Sequence, residues 1–371
     1  MNIIFSCGSR SWGGLEIQTL KLSITFQQRG HNVLLLIPEN STLLAKAKEN
    51  NVKVVPIKWS NAKALFNIFK VRKIIRGFKP QIIHTQLSHD LWVLSPAMTK
   101  KSGAKLILTR RMNSAVNKKD IFHRYLYKKI DLLLCVSTFI SENVKKTTAI
   151  EHNKVNIHFN GLDLQKFNPE LYNHAECRRK FDIAENSIVI GFLGRFTFLK
   201  GHHEYFEAGK ILQQKYPEMQ FVFLVAGGDS FGEEAYGNKV RAYGINLLGE
   251  NNIVFTGDIT NIPEVLRAMD ILVFPSHEES FGNVLCEAGA MEIPVVASNS
   301  GGVPDIVIDK ETGILVEPKN SEKISEAIGQ YIDNPNLIKQ HGKAARKHIN
   351  EKFTEKNQLD KLEKMYFDLT Q

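Results

Sequence analysis

Phe274–Ser300 reads FPSHEESFGNVLCEAGAMEIPVVASNS, and its pattern decides the fold. The apolar run Ile271–Phe274 leads into it and reads as a short buried strand. Pro275 and Ser276 end that strand, and a helical pattern opens near Gly282–Asn283 with Val284, Leu285 and Ala288 turned to a core. Pro294-Val-Val-Ala297 reads as the next strand. The order is strand, loop, helix, strand, with the loop at a strand's carboxyl end, which is where open α/β sheets bind ligands. The loop carries Glu279, and Glu287 follows after seven further residues. Gly282 and Asn283 fall at the helix start, where free N–H groups and the helix dipole favour an anion. Two such carboxylates can frame a ligand whose phosphate sits at the helix start and whose vicinal hydroxyls they accept. Spacing alone describes equally a solvated acidic loop and a surface glutamate.

The same alternation runs outward in both directions. In the first half, strands are expected at Asn2–Ser6, Asn32–Ile37, Val52–Ile57, Gln81–His84, Leu106–Thr109, Asp131–Val136 and Val155–Phe159. Between them, a helix with Ile17, Leu20 and Ile24 on one face ends at Arg29-Gly30, and another spans Ala62–Arg76. Ser137 caps a helix containing Glu142. Gly13-Gly14 precede the first helix and allow either close approach to an anion or a tight turn; the G-x-G-x-x-G of a dinucleotide fold is absent. Asn160-Gly161 turns the chain, and a polar stretch to about Ser187 with Asn168-Pro169 reads as loop. The second half repeats the pattern, with strands at Ile188–Leu193, Phe221–Ala226, Ile253–Phe255 and Gly313–Val316, a helix at Glu233–Tyr243, and two terminal helical stretches at about Ser321–Ile349 and Glu355–Leu369. Arg195 and Lys200 lie on the loop after Ile188–Leu193, a fork of donors and a point charge that suit a diphosphate or are simply solvated. This alternation implies parallel sheets with right-handed crossovers.

The chain has 371 residues, enough for two domains, with 43% hydrophobic and 23% charged residues, as in a globular protein. Cys7, Cys135, Cys177 and Cys286 are scattered without a C-x-x-C pair, which argues against zinc or a disulfide framework and suits a reducing compartment. The start of the chain lacks the pattern of a signal peptide, and the apolar runs are too short to span a bilayer. Residues 1–165 carry 26 Lys and Arg against 9 Asp and Glu, and the rest carry 22 against 30. One half is thus strongly basic and the other acidic, so an anionic partner would meet the first half.

The wording Glu279-Ser-Phe-Gly-Asn-Val-Leu-Cys-Glu-Ala288, with Gly289, Pro294-Val-Val-Ala297 and Gly301-Gly302-Val-Pro304, closely resembles the signature of glycosyltransferase family 4. These are retaining, nucleotide-sugar-dependent enzymes of the GT-B fold. The resemblance covers nearly the whole chain and is strongest over 188–318. It implies two facing Rossmann-like domains, 1–165 for the acceptor and 166–352 for the donor, with a cleft between them. Residues 353–371 would form a C-terminal helix returning to the first domain. It implies roles as well. Arg195 and Lys200 would offset charge on the leaving diphosphate. Gly282, Asn283 and Val284 would offer N–H groups to the donor, Glu279 would bind its sugar and Glu287 its ribose. Ile259 would hold the base, and Gly13-Gly14 in Gly-Gly-Leu-Glu16 would face the diphosphate. Many members carry His-x-His where this chain has His84-Thr-Gln86, so only His84 carries over, as a group touching sugar or acceptor. Leaving phosphate acting as base, with front-face attack, is the chemistry commonly assigned to the family. The sequence has no Asp-x-Asp, so no metal or other cofactor is expected beyond the donor substrate.

A GT-B epimerase or hydrolase shares the fold, but the Glu279–Glu287 wording favours transfer. The acceptor is expected to be a glycolipid or polysaccharide of the cell envelope, such as lipopolysaccharide. Basic clusters at 70–79, 100–111 and 118–129 lie beside Phe66, Phe69, Trp92, Phe122 and Tyr125, and helix 62–78 sets Leu65 and Phe69 among cations. Such stretches dock on anionic lipid. The expectation is a cytoplasmic monomer held peripherally on the inner face of the membrane; a non-enzymatic basic membrane binder is the alternative. No helix-turn-helix or aromatic-basic RNA motif points to nucleic acid. Donor specificity is expected around Phe231–Tyr236.

Overall fold

The computed structural model describes residues 1–57, 64–99, 102–230 and 232–371, with backbone alone for Ala64 and Leu65. The start of the helix expected from Ala62, the side chain of Leu65, and Lys100, Lys101 and Phe231 fall outside the described parts. The chain forms two compact units, Met1–Phe159 with Asp360–Gln371, and Asn160–Leu359.

The first unit runs β1 (Asn2–Ser6), α1 (Gly14–Gln28), β2 (Asn32–Pro38), α2 (Thr42–Glu49), β3 (Val54–Ile57), α3 (Ala64–Phe78), β4 (Ile82–Thr85), α4 (Leu91–Ala97), β5 (Lys105–Arg110), α5 (Ile121–Lys128), β6 (Leu132–Cys135), α6 (Thr138–Thr147) and β7 (Val155–Ile157). Among the described residues its sheet is seven-stranded and parallel, ordered β3-β2-β1-β4-β5-β6-β7. The central strands are apolar on both faces, because helices cover both: Ile3, Ile4, Phe5, Leu35, Leu36 and Ile83 are fully buried. The buried face of α1 includes Leu20 as expected but is turned away from Ile17. Ile17 is exposed, while Thr19, Leu20, Ser23 and Phe26 point inward, with the Thr19 and Ser23 hydroxyls donating back to the carbonyls of Leu15 and Thr19. Ser137 caps α6 as expected, accepting from the Ile140 N–H at 3.2 Å.

The second unit contains α7 (His174–Arg179), β8 (Ile188–Leu193), α8 (His202–Lys215), β9 (Phe221–Ala226), α9 (Glu234–Leu248), β10 (Ile253–Gly257), α10 (Ile262–Ala268), β11 (Ile271–Phe274), α11 (Asn283–Ala290), β12 (Val295–Ser298), β13 (Gly313–Val316), α12 (Ser321–Asp333) and α13 (Pro335–Lys352). Among the described residues its sheet is six-stranded, parallel and ordered β10-β9-β8-β11-β12-β13. An aromatic core of Phe192, Phe196, Tyr205, Phe206, Phe223 and Tyr331 fills the space beneath it. The single helix expected over 321–349 is two, because Pro335 cannot donate within a helix and instead opens a new one at its first turn. The stretch expected as loop before Ser187 includes α7, capped by the Asn173 side chain.

The last helix, α14 (Glu355–Thr370), carries the chain from the second unit back to the first. Within the first unit Glu363 pairs with Arg29 at 2.6 Å and His31 at 2.6 Å, and Tyr366 is fully buried. In both sheets the order reverses at the middle, between β1 and β4 and between β8 and β11. Loops on either side of such a reversal diverge and leave a crevice at the strands' carboxyl ends.

Candidate functional site

The second crevice gathers most of the residues singled out above. Lys200 arrives on the loop after β8 and Glu279 on the loop after β11, and the adjacency of those strands brings them together. Lys200 Nζ donates to Glu279 Oε2 at 2.6 Å and lies 5.4 Å from the centre of the Phe274 ring. Both side chains are mostly sheltered, so their attraction exceeds that of a surface pair. The Glu279 backbone is clamped as well: its carbonyl accepts from the Gly302 N–H at 2.8 Å. Gly301, at φ +56°, passes so close that any Cβ would sit 2.0 Å from that carbonyl oxygen. The Gly301-Gly302 pair is therefore a support for the Glu279 loop.

Gly282 takes the left-handed conformation at φ +97° and starts α11 without a side-chain cap. The first N–H groups of α11, on Asn283 and Val284, thus face the crevice end of the helix with its positive dipole. Asn283 Oδ1 accepts from Asn160 Nδ2 at 3.0 Å. Glu287, further along α11, has a buried Oε2 without a hydrogen-bond partner. Burial pushes its carboxyl up to about 7, against a smaller downward pull from Lys166. A carboxyl in that state lacks a donor, and a hydroxylated ligand would supply one.

Arg195 and Ile259 lie on the same rim, after β8 and β10. Arg195 is exposed and its side chain makes no hydrogen bond among the described residues; Ile259 is half-buried. Two histidines at this end escaped the sequence reading. His277 Nε2 meets Glu204 Oε1 at 2.7 Å. His202, directly after Lys200-Gly201, is fully buried between Phe192 and Phe196, at ring distances of 4.4 and 4.9 Å. Burial first, then His203 and Lys200, push it down to about 3, so it is a neutral ring in an aromatic stack. Its place beside the Lys200-Gly201 turn was the available signal.

In the first unit, Gly13 and Gly14 stand at the start of α1, on the carboxyl side of β1. The turn before them is held by Asp90, whose Oδ2 accepts from Ser6 Oγ at 2.7 Å, Thr85 Oγ1 at 3.0 Å and the Gly8 N–H at 3.1 Å. Burial still outweighs these bonds and raises Asp90 to about 6.

His84 corrects the expectation attached to it. It is 1% exposed, with Nδ1 bonded to the Tyr366 hydroxyl and Nε2 2.7 Å from Thr109 Oγ1. Burial drives it down to about 3. A ring with both nitrogens engaged and no exposed edge links β4, β5 and α14; it offers nothing to a substrate in this structure.

Residues 12–166 match the family described as Glycosyltransferase Family 4, and residues 173–348 the family described as Glycosyl transferases group 1. A capsular polysaccharide biosynthesis glycosyltransferase, CapM of Staphylococcus aureus, is 28% identical over 255 residues, covering 66% of this chain and 65% of that protein. The chain spans about half to two thirds of the length of the first curated relatives it matches. Among solved structures, a glycosyltransferase from Rickettsia africae superimposes with a TM-score of 0.88 at 24% identity, covering 99% of this chain and 98% of that one. Anabaena HepE, solved in complex with UDP, gives 0.86 at 18% identity, covering 99% and 100%. At those identities the structures speak for the fold. The two family matches between them take in almost all of the chain from residue 12 to 348, and the chain belongs to the group 1 and family 4 glycosyltransferases, with the paired Rossmann-like domains of the GT-B fold.

Proposed function

We propose that the protein transfers a sugar from a nucleoside diphosphate sugar to an acceptor hydroxyl, with retention at the anomeric carbon. The observation that carries this reading is the meeting of Lys200, Glu279 and the uncapped start of α11 at the reversal point of the second sheet. A cation and free N–H groups suit a diphosphate, and two carboxylates, Glu279 and Glu287, suit sugar and ribose hydroxyls. Donor diphosphate would compete with Glu279 for Lys200 and so release the carboxylate to accept from the sugar. Arg195 and Lys200 then offset charge as the bond from anomeric carbon to diphosphate oxygen breaks. The acceptor oxygen bonds to that carbon, and its proton passes to the leaving phosphate. Ile259 completes the donor's surroundings in the second unit on this reading, and the charge is balanced without a metal ion.

The acceptor is assigned to the first unit, as a glycolipid or polysaccharide of the cell envelope, with docking at an anionic membrane. The charge division supports this, and so do exposed apolar side chains among the cations. On α3, Phe66 is 78% exposed beside Lys70 and Lys73; on α5, Ile121, Phe122 and Tyr125 stand out near Lys128. No described helix is long and apolar enough to cross a membrane, so attachment through these faces would be peripheral.

The test is thermal shift with a panel of nucleoside diphosphates, UDP first, followed by mass spectrometry of product formed from each nucleoside diphosphate sugar and candidate glycolipids. UDP or another member should raise Tm in the wild type and far less in Lys200→Ala. A protein that responds to none of them is not a nucleotide-sugar enzyme.

A further inference from the structure

The first unit holds two cations around one hydroxyl. Arg110 is the last residue of β5 and Lys118 lies on the loop before α5. Arg110 Nη1 donates to Ser88 Oγ at 2.9 Å, and Lys118 Nζ donates to the same oxygen at 3.3 Å. Neither cation has a carboxylate within ion-pair distance among the described residues. Burial lowers the Lys118 ammonium, and among the described residues the repulsion from Arg110 adds to it. The Nε of Arg110 is buried without a partner. So is the hydroxyl of Tyr127, a phenol close enough to feel the Arg110 charge.

Two like charges sharing one acceptor repel, and each buried donor left unmade costs stability. A serine hydroxyl has two lone pairs and one hydrogen. With both lone pairs taken by cations, the Ser88 O–H is left to donate, and among the described residues no acceptor takes it. Guanidinium, ammonium and hydroxyl thus converge as donors on a place that lacks an acceptor. Ser88 follows β4 and Arg110 ends β5, so that place lies at the carboxyl edge of the sheet, one strand from its reversal point. A fork of N–H groups with a point charge beside it fits a tetrahedral oxyanion.

We propose that Arg110, Lys118 and Ser88 bind a phosphate group carried by the acceptor. The word acceptor rests on the transfer reading above; the phosphate site itself does not. The shared chemistry is a phosphomonoester, borne by a lipid headgroup or by a soluble sugar.

The experiment is a thermal-shift titration with inorganic phosphate in phosphate-free buffer. It uses the wild type, a donor-side variant (Arg195→Gln with Lys200→Gln), an edge variant (Arg110→Gln with Lys118→Gln) and Lys118→Gln alone, which changes only a loop residue. Phosphate should raise Tm of the wild type and still raise that of the donor-side variant, which isolates the edge site from any phosphate held at Lys200. In the edge variant, and in Lys118→Gln, the phosphate concentration for half the shift should rise about tenfold or more, the scale of one charge-assisted bond lost. The UDP response should persist in the edge variant, so failure of the donor reading and failure of this site show in different titrations. Vesicles containing phosphatidic acid and soluble glycerol 3-phosphate, each competing against inorganic phosphate, tell a lipid-borne group from a soluble one. A wild type indifferent to phosphate, or an edge variant that responds like the wild type, overturns the site.

Discussion

Replacing Glu287 with Gln should make the protein more stable and a poorer binder of its donor. The native carboxyl titrates at about 7 against an ordinary 4.5, because burial disfavours its charge. A carboxyl raised in the folded state gives stability that is whole below the unfolded value and is lost as pH rises through the folded one. The window is therefore about 4.5 to 7. At 1.36 kcal/mol per pH unit the whole shift corresponds to about 3 kcal/mol. The residue keeps partial contact with solvent, so roughly half of that is the better expectation. At pH 8, Glu287→Gln should thus gain about 1–2 kcal/mol, or some 3–6 °C in Tm for a unit of this size. At pH 5 the two proteins should melt nearly together. The assay is a set of melts from pH 5 to 8, without ligand and with saturating nucleoside diphosphate. With ligand, the order should invert, since an amide accepts more weakly than a carboxylate from ribose hydroxyls. A Tm difference that is flat across pH 5–8 would refute the idea that Glu287 is an unsatisfied carboxylate kept for a ligand.

Other consequences can be measured separately. Arg195→Ala or Lys200→Ala should lower turnover about 10²-fold, near 3 kcal/mol of lost charge stabilisation, while the fold persists; near-normal turnover in both removes them from the chemistry. Activity should survive excess EDTA if Arg195, Lys200 and the α11 N–H groups supply the charge a divalent ion supplies elsewhere; rescue of an inactive sample by added metal would contradict this. His84→Ala should destabilise by about 2–4 kcal/mol in denaturant melts by stranding Tyr366 and Thr109, whereas wild-type stability with lost turnover would restore a catalytic role. Liposome cosedimentation should rise with anionic lipid, weaken in high salt, and fall when Phe66 and Phe122 become Ser or when Lys118, Lys119, Lys128 and Lys129 become Glu; indifference to anionic liposomes at low salt ends the membrane assignment.

The strands were legible because parallel strands covered on both faces read as short continuous apolar runs, and each such run fell within a residue or two of its place. Helices were legible only where the buried stripe is apolar. The inner face of α8 carries His202, Gly209 and Ala208 among its large residues, which blurs the periodicity, and α7 and α10, of six and seven residues, are too short to show any. The same limit misplaced part of the core face of α1, where Thr19 and Ser23 point inward and Ile17 points out.

The site divided along a different line. Each of Arg195, Lys200, Glu279, Gly282 and Glu287 could be read where it stands, since each lies on or just after a loop at a strand's carboxyl end. The ion pair between Lys200 and Glu279 could not, because it spans 79 residues and depends on β8 lying beside β11. Chain order suggests neighbours that follow one another; the reversal of strand order at mid-sheet makes neighbours of elements far apart. His84 was hard to place for a related reason. A histidine near the end of a strand looks in sequence like a loop ligand, yet its partners are Thr109 on the next strand and Tyr366 on the last helix, 282 residues away. Whether such a residue reaches a ligand is settled by what covers it. Here the cover is the final segment of the chain, which bonds the ring through the Tyr366 hydroxyl and leaves the rim of the first sheet to Asp90, Arg110 and Lys118.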